Sequence, residues 1–184
     1  MFVDRLADLL GVNSWVNKFS GLVAAVDLRQ SANFSRDCDS LKNLCIERDG
    51  TKGGADKNGT SKSGAIDRLI LLKPQTFMNA SGTSVSACMS YFKLAPDDLF
   101  VVHDDLDTQG AKLKLGGSPN GHNGLRDIHR AIGTCEYKRL RIGIGRPASK
   151  DMVKDYVLSN FSKAERNEID AVIDNTIKCF DQFI

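Results

Sequence analysis

The chain has 184 residues, 41% of them hydrophobic and 26% charged, with a net charge of +2; this suits one domain with a substantial core and is ordinary for a soluble globular protein. No apolar run nears the roughly 20 residues a membrane-spanning helix needs. The opening MFVDRLADLLG carries Asp4, Arg5 and Asp8 inside its apolar pattern, which argues against a signal peptide and for an amphipathic helix.

In chain order, Phe2, Val3, Leu6, Leu9 and Leu10 keep helical spacing, with Gly11 as the stop. LVAAVDL at 22–28 reads as a strand. Residues 30–65, rich in Gly, Ser, Lys and Asp, read as a flexible insertion in which LKNLCI is a candidate ordered piece. IDRLILLK at 66–73 is a strand ended by Pro74. Helical spacing resumes at Val85, Met89 and Phe92, with Asn79 or Ser81 as N-cap. LFVVHDDLD at 99–107 is a buried strand that runs into acids, and KLKL at 112–115 is a short alternating one. After GGSPNGHNG, the segment LRDIHRAIG predicts a helix of about two turns, closed by Gly133. RLRIGIG at 139–145 alternates, with Leu140, Ile142 and Ile144 on one face and Arg139 and Arg141 on the other. A capping box, Ser162 to Glu165, opens a last helix with the stripe Ile169, Val172, Ile173, Ile177 and Phe180. This alternation predicts an α/β fold over residues 1–184: a single domain with a mixed central sheet sandwiched between helices. Its ligand crevice is expected outside the carboxyl ends of the strands.

The charge is uneven. Between Lys112 and Arg146 lie eight basic residues against two acids, a local +6 that leaves −4 on the rest. Such a basic face suits a polyanionic partner. The five cysteines form no C-x-x-C pair, which disfavours a disulfide framework or zinc knuckle and points to reduced thiols inside a cell.

Three polar clusters fall at the expected crevice. In HDDLD (103–107) the acids could bind a metal with His103 and His122, cap a turn, or orient an imidazole or substrate group. In FMNASG (77–82), Asn79 is either a helix cap or an amide offered to a substrate carbonyl or water. The loop GGSPNGHNGLRD matches neither common phosphate-binding glycine pattern; Asn123 in it either caps the next helix or faces a ligand above that helix. No Ser, Cys or Thr sits beside a convincing base, so a covalent nucleophile is not indicated.

KPQTFMNASG, VVHDDLD, LKLGGSPNGHNGLRDI, RLRIGIGRP and DYVLSNF, in this order and spacing, closely resemble bacterial-type peptidyl-tRNA hydrolases. The resemblance covers most of residues 66–180. It implies hydrolysis of the ester between a peptide and the 3′-terminal ribose of tRNA, with no metal or other cofactor, by a cytoplasmic monomer that does not enter membranes; an organelle such as the mitochondrion is the alternative location. It implies catalytic roles for Asn79, Asp104 and Asn123. Asn79 would bind the peptide and ester, Asp104 would orient the catalytic histidine, and Asn123 would hold water or substrate. Phe77, Met78, Gly121 and His122 would line the crevice, and Lys112, Lys114, Arg139 and Arg141 would grip tRNA phosphates. Such contacts position without reading sequence.

The family pattern opens with a strand, an asparagine-bearing turn and a T-R-H-N segment whose histidine is the general base. MFVDRLADLLG resembles the stretch that comes directly after T-R-H-N in the family, so the 184 residues hold neither the strand nor that histidine. A positioned general base contributes about 10²–10⁴-fold. The expectation is therefore weak or absent hydrolysis by the chain as it stands, and lower stability than a full-length relative. His122 is the one candidate to replace the base. The alternative function is a non-catalytic tRNA- or RNA-binding paralogue.

Overall fold

The computed structural model describes residues 1–29, the backbone of 46–47, and 68–180. Its elements are α1 (Phe2–Leu9), β1 (Val16–Lys18), β2 (Gly21–Asp27), β3 (Ile46–Glu47), β4 (Arg68–Pro74), α2 (Ser81–Phe92), β5 (Phe100–Asp105), β6 (Ala111–Leu115), α3 (Asn123–Ile132), β7 (Lys138–Gly143), α4 (Val153–Leu158) and α5 (Lys163–Ile177). A single 3₁₀ turn, Met78–Ala80, joins β4 to α2. The α/β reading holds. The short β1 and α4 carried no apolar periodicity long enough to be read from sequence. Ile46–Glu47 adds a parallel strand beside β6 at the end of the LKNLCI stretch; the rest of the expected insertion at 30–65 lies outside the described residues.

The expected single sheet occurs as two hydrogen-bonded parts. One has the order β1-β2-β4 and is antiparallel; the other has the order β3-β6-β7-β5 and is mixed. Among the described strands β4 pairs only with β2, and β5 only with β7. The two parts nevertheless form one layer, because their alternating side chains enter the same two cores. Leu69 and Leu71 of β4, Phe100 and Val102 of β5, and Leu140 and Ile142 of β7 pack with Phe2 and Leu6 of α1 and Ile169, Ile173 and Ile177 of α5. On the opposite face Leu72 of β4 and Val101 of β5 pack with Val85 and Met89 of α2 and Leu125 and Ile128 of α3. Helices thus cover both faces, as predicted. Arg5 of α1 pairs with Asp170 and Asp174 of α5, and Lys73 of β4 with Asp4 at 2.5 Å. The hydrogen bond from Lys73 holds the Asp4 carboxyl down at about 2.

β7 explains one departure. Its neighbours β5 and β6 cover both edges, α5 packs on one face and the glycine loop at 116–118 lies over Arg139 on the other, so both alternating sets of side chains are interior. Leu140 is 0% exposed and Arg139 only 2%. Arg139 therefore does not stand on a basic surface. Its Nη1 donates to the Ser118 carbonyl at 3.0 Å, while Nε and Nη2 have no hydrogen-bond partner among the described residues.

Candidate active site

Three motifs far apart in sequence meet where β4, β5 and the loop before α3 end. From the first, the 3₁₀ turn presents Phe77, Met78 and Asn79, all exposed. Asn79 is not a helix cap: the N-cap of α2 is Ala80, which makes no side-chain capping bond, so the Asn79 amide remains available to a ligand. From the third, the N-cap of α3 is His122, not Asn123. Its Nδ1 accepts the Leu125 N–H at 3.2 Å. Asn123 is exposed, and its Oδ1 accepts from Arg126 Nη1 at 3.2 Å, which leaves its amide N–H groups for a ligand.

The second motif joins the third through Asp104. Its Oδ1 lies 3.2 Å from His122 Nε2. Burial pushes the Asp104 carboxyl up, but the His122 hydrogen bond holds it below its ordinary value. In neutral His122 both nitrogens are then committed. Nδ1 receives the Leu125 amide, so Nε2 carries the proton and donates it to Asp104. The first motif joins the third through Met78. A Cβ on Gly124 would lie 2.6 Å from Met78 Sδ and 3.0 Å from His122 Cε1, so sulfur and imidazole both close on the same bare stretch of helix backbone. Gly121, in the left-handed region at φ +86°, turns the chain into this position.

The acids of HDDLD diverge instead of converging on a metal. Asp105 turns away from the crevice to accept both Arg141 Nε and Nη2 at 3.0 Å, with side chains only 10% and 13% exposed. Burial raises its carboxyl, yet the Arg141 bonds, the Asp107 amide and Thr108 bring it down to about 2. Arg141, expected to grip phosphate, is thus held in a carboxylate fork. His103 points Nδ1–H at the Asp104 carbonyl at 2.7 Å and sets its ring edge-to-face on His122, centroids 5.1 Å apart. Its Nε2 is buried without a partner, and burial drives its pKa down to about 4. Its packing role was not legible from the sequence, which offered His103 only as a metal ligand.

The four basic candidates of β6 and β7 stand side by side, Lys112 opposite Arg141 and Lys114 opposite Arg139. The glycine loop lies over this row: a Cβ on Gly117 would sit 2.9 Å from Arg139 Nη2 and 3.2 Å from Lys114 Nζ. Lys112 and Lys114 are half-buried. Arg130 pairs with Asp127 and Arg146 with Asp107, so part of the +6 segment is neutralised within the fold.

Fold and site together define an α/β protein with one carboxylate, two exposed amides and an oriented imidazole at the carboxyl ends of its strands, beside a row of cations. Comparison with known proteins gives this class a family. The peptidyl-tRNA hydrolase family model matches residues 38–184. A peptidyl-tRNA hydrolase of Geobacter sp. strain M21 is 46% identical over 122 residues, 65% of this chain and 64% of the relative. One from Citrifermentans bemidjiense is 37% identical over 186 residues, 100% of this chain and 79% of the relative. The crystal structure of peptidyl-tRNA hydrolase from Acinetobacter baumannii superposes with a TM-score of 0.69 at 31% identity, covering 96% of this chain and 73% of that one. The chain belongs to the peptidyl-tRNA hydrolase family, and its match spans under two thirds of the Geobacter relative's length.

Proposed function

We propose that the chain binds the peptide–ribose ester end of peptidyl-tRNA and that, as these 184 residues, it hydrolyses that ester weakly. The reading is supported by the Asp104–His122 hydrogen bond and by the approach of Met78 and His122 to Gly124, which bring together the segments that carry Asn79, Asp104 and Asn123. Asn79 and Asn123 offer amide donors and acceptors to the peptide and the ester carbonyl. Phe77 and Met78 supply exposed apolar surface for side chains of the peptide. Lys112 and Lys114 face the phosphates, while Arg139 and Arg141 brace the strands beneath them.

The weakness follows from the chain's three histidines. A general base needs an accessible lone pair. His122 has both nitrogens engaged. His103 and His129 each bury Nε2, and burial lowers both pKa values. His122 and His103 thus offer no free basic nitrogen, and we do not assign the base to His122. We place the protein in the cytoplasm; no helix among the described residues is long and apolar enough to cross a membrane.

The test is a paired measurement on N-acetylaminoacyl-tRNA. Binding should be tighter than to deacylated tRNA, and turnover should fall about 10²–10⁴-fold below that of the Acinetobacter baumannii enzyme. Equal turnover would overturn the weak-hydrolysis reading. Equal binding of acylated and deacylated tRNA would favour a general RNA-binding paralogue.

A further inference from the structure

Of two close approaches at the α2–α3 crossing, that of Gly82 has no part in the chemistry above, while that of Gly124 is shared with the site. Gly82, in the first turn of α2, is pressed so closely on α3 that a Cβ there would collide with the Asp127 carbonyl. Gly124, in the first turn of α3, is covered by Met78 Sδ from the turn before α2. Each helix start therefore lacks a side chain where the other approaches. The two notches bracket the exposed amides, since Asn79 lies between Met78 and Gly82, and Asn123 adjoins Gly124.

The crossing is also latched. Asp127 is 6% exposed, and its Oδ2 accepts the Gly82 N–H at 2.7 Å. The α2 start has no capping side chain of its own, so one of its free N–H groups is capped from the other helix, with the negative charge at the positive end of α2. Asp127 lies four residues after Asn123, on the same face of α3. Arg130 pairs with its other oxygen. The carboxylate is thus fixed between a backbone donor on α2 and a guanidinium on its own helix.

We infer that Asp127, acting through the Gly82 N–H, is a positioning residue that sets the separation of the Asn79 and Asn123 amides and thereby the recognition of the acyl end of the substrate. The inference rests on the proposed acyl-tRNA reading. Nothing in the latch touches substrate, so it acts on geometry, and RNA contacts away from the crevice do not depend on it.

The test uses the full 184-residue chain and an oligoribonucleotide carrying an N-acetylaminoacyl group on its 3′ end through a non-hydrolysable amide, with the deacylated oligonucleotide as control. Asp127→Ala should cut the preference for the acylated probe by about three- to tenfold, leave the control unchanged, and remove the nuclear Overhauser contact between the Met78 side chain and the Gly124 Hα protons. Asp127→Asn keeps an acceptor for Gly82 and should restore both. Gly124→Ala displaces the flexible Met78 end with Asp127 intact; it should lose the same preference with little change in Tm, which keeps the test open if Asp127→Ala fails to fold. An unchanged Met78–Gly124 contact in folded Asp127→Ala overturns the inference, as does an unchanged preference in Gly124→Ala. If the parent chain shows no acyl preference, the function reading fails, and the Met78–Gly124 contact alone decides the latch.

Discussion

Asp104 and Asp105 are adjacent carboxylates that leave β5 in opposite directions, one to an imidazole in the crevice and one to a guanidinium beneath it. The difference is readable in acid. Asp105 has its folded pKa lowered to about 2, against about 3.9 when unfolded. Its contribution is therefore complete above the unfolded value and is lost as pH falls through about 2. Asp105→Asn should cost on the order of 2 kcal/mol at pH 7. Denaturant unfolding should show this gap to the parent closing between pH 5 and pH 2; a gap independent of pH would mean that the ion pair does not contribute in this way. His122→Ala should remove the α3 cap and cost about 1 kcal/mol. It should also raise the Asp104 pKa, since the hydrogen bond that lowers it is gone. Carboxyl titration by NMR reads that shift.

At the scale of elements, β7 carries the sharpest contrast. Leu140 and Arg139 are neighbours, both buried, on opposite faces of one strand. Leu140→Ala empties the core that α1 and α5 share and should cost about 2–5 kcal/mol. Arg139→Met should be neutral or stabilising in thermal unfolding, because a buried guanidinium with one hydrogen bond gives up more hydration than it regains. The same variant frees the Ser118 carbonyl and should speed amide exchange in the 116–121 loop. A large loss of Tm in Arg139→Met would show that the cation stabilises the strand.

For the whole molecule, at least four of the eight basic residues of the 112–146 segment are engaged within the fold: Arg130, Arg141 and Arg146 with carboxylates, and Arg139 with the Ser118 carbonyl. Binding to single-stranded RNA should therefore fall with salt at a log–log slope of at most about −3, the value for four phosphate contacts at about −0.7 each. A slope near −6 would mean that the paired arginines are released to the nucleic acid.

Length, apolar spacing and the capping box were enough to set the α/β order and most elements, because spacing of 3.6 and 2 residues reports burial directly. Three motifs carried the candidate site for the same local reason: each is a short turn whose residue types already suit a ligand. Tertiary structure alone decided which side chains keep their polar groups free. Asn79 and Asn123 look like caps in sequence, yet Asp127 and His122 take those tasks and release both amides. Arg139 and Arg141 look like a cationic face, yet the Ser118 carbonyl and the Asp105 carboxylate hold them inside the fold. A hydrogen bond or a buried charge depends on partners distant along the chain, and no local pattern of residues states which partner will arrive.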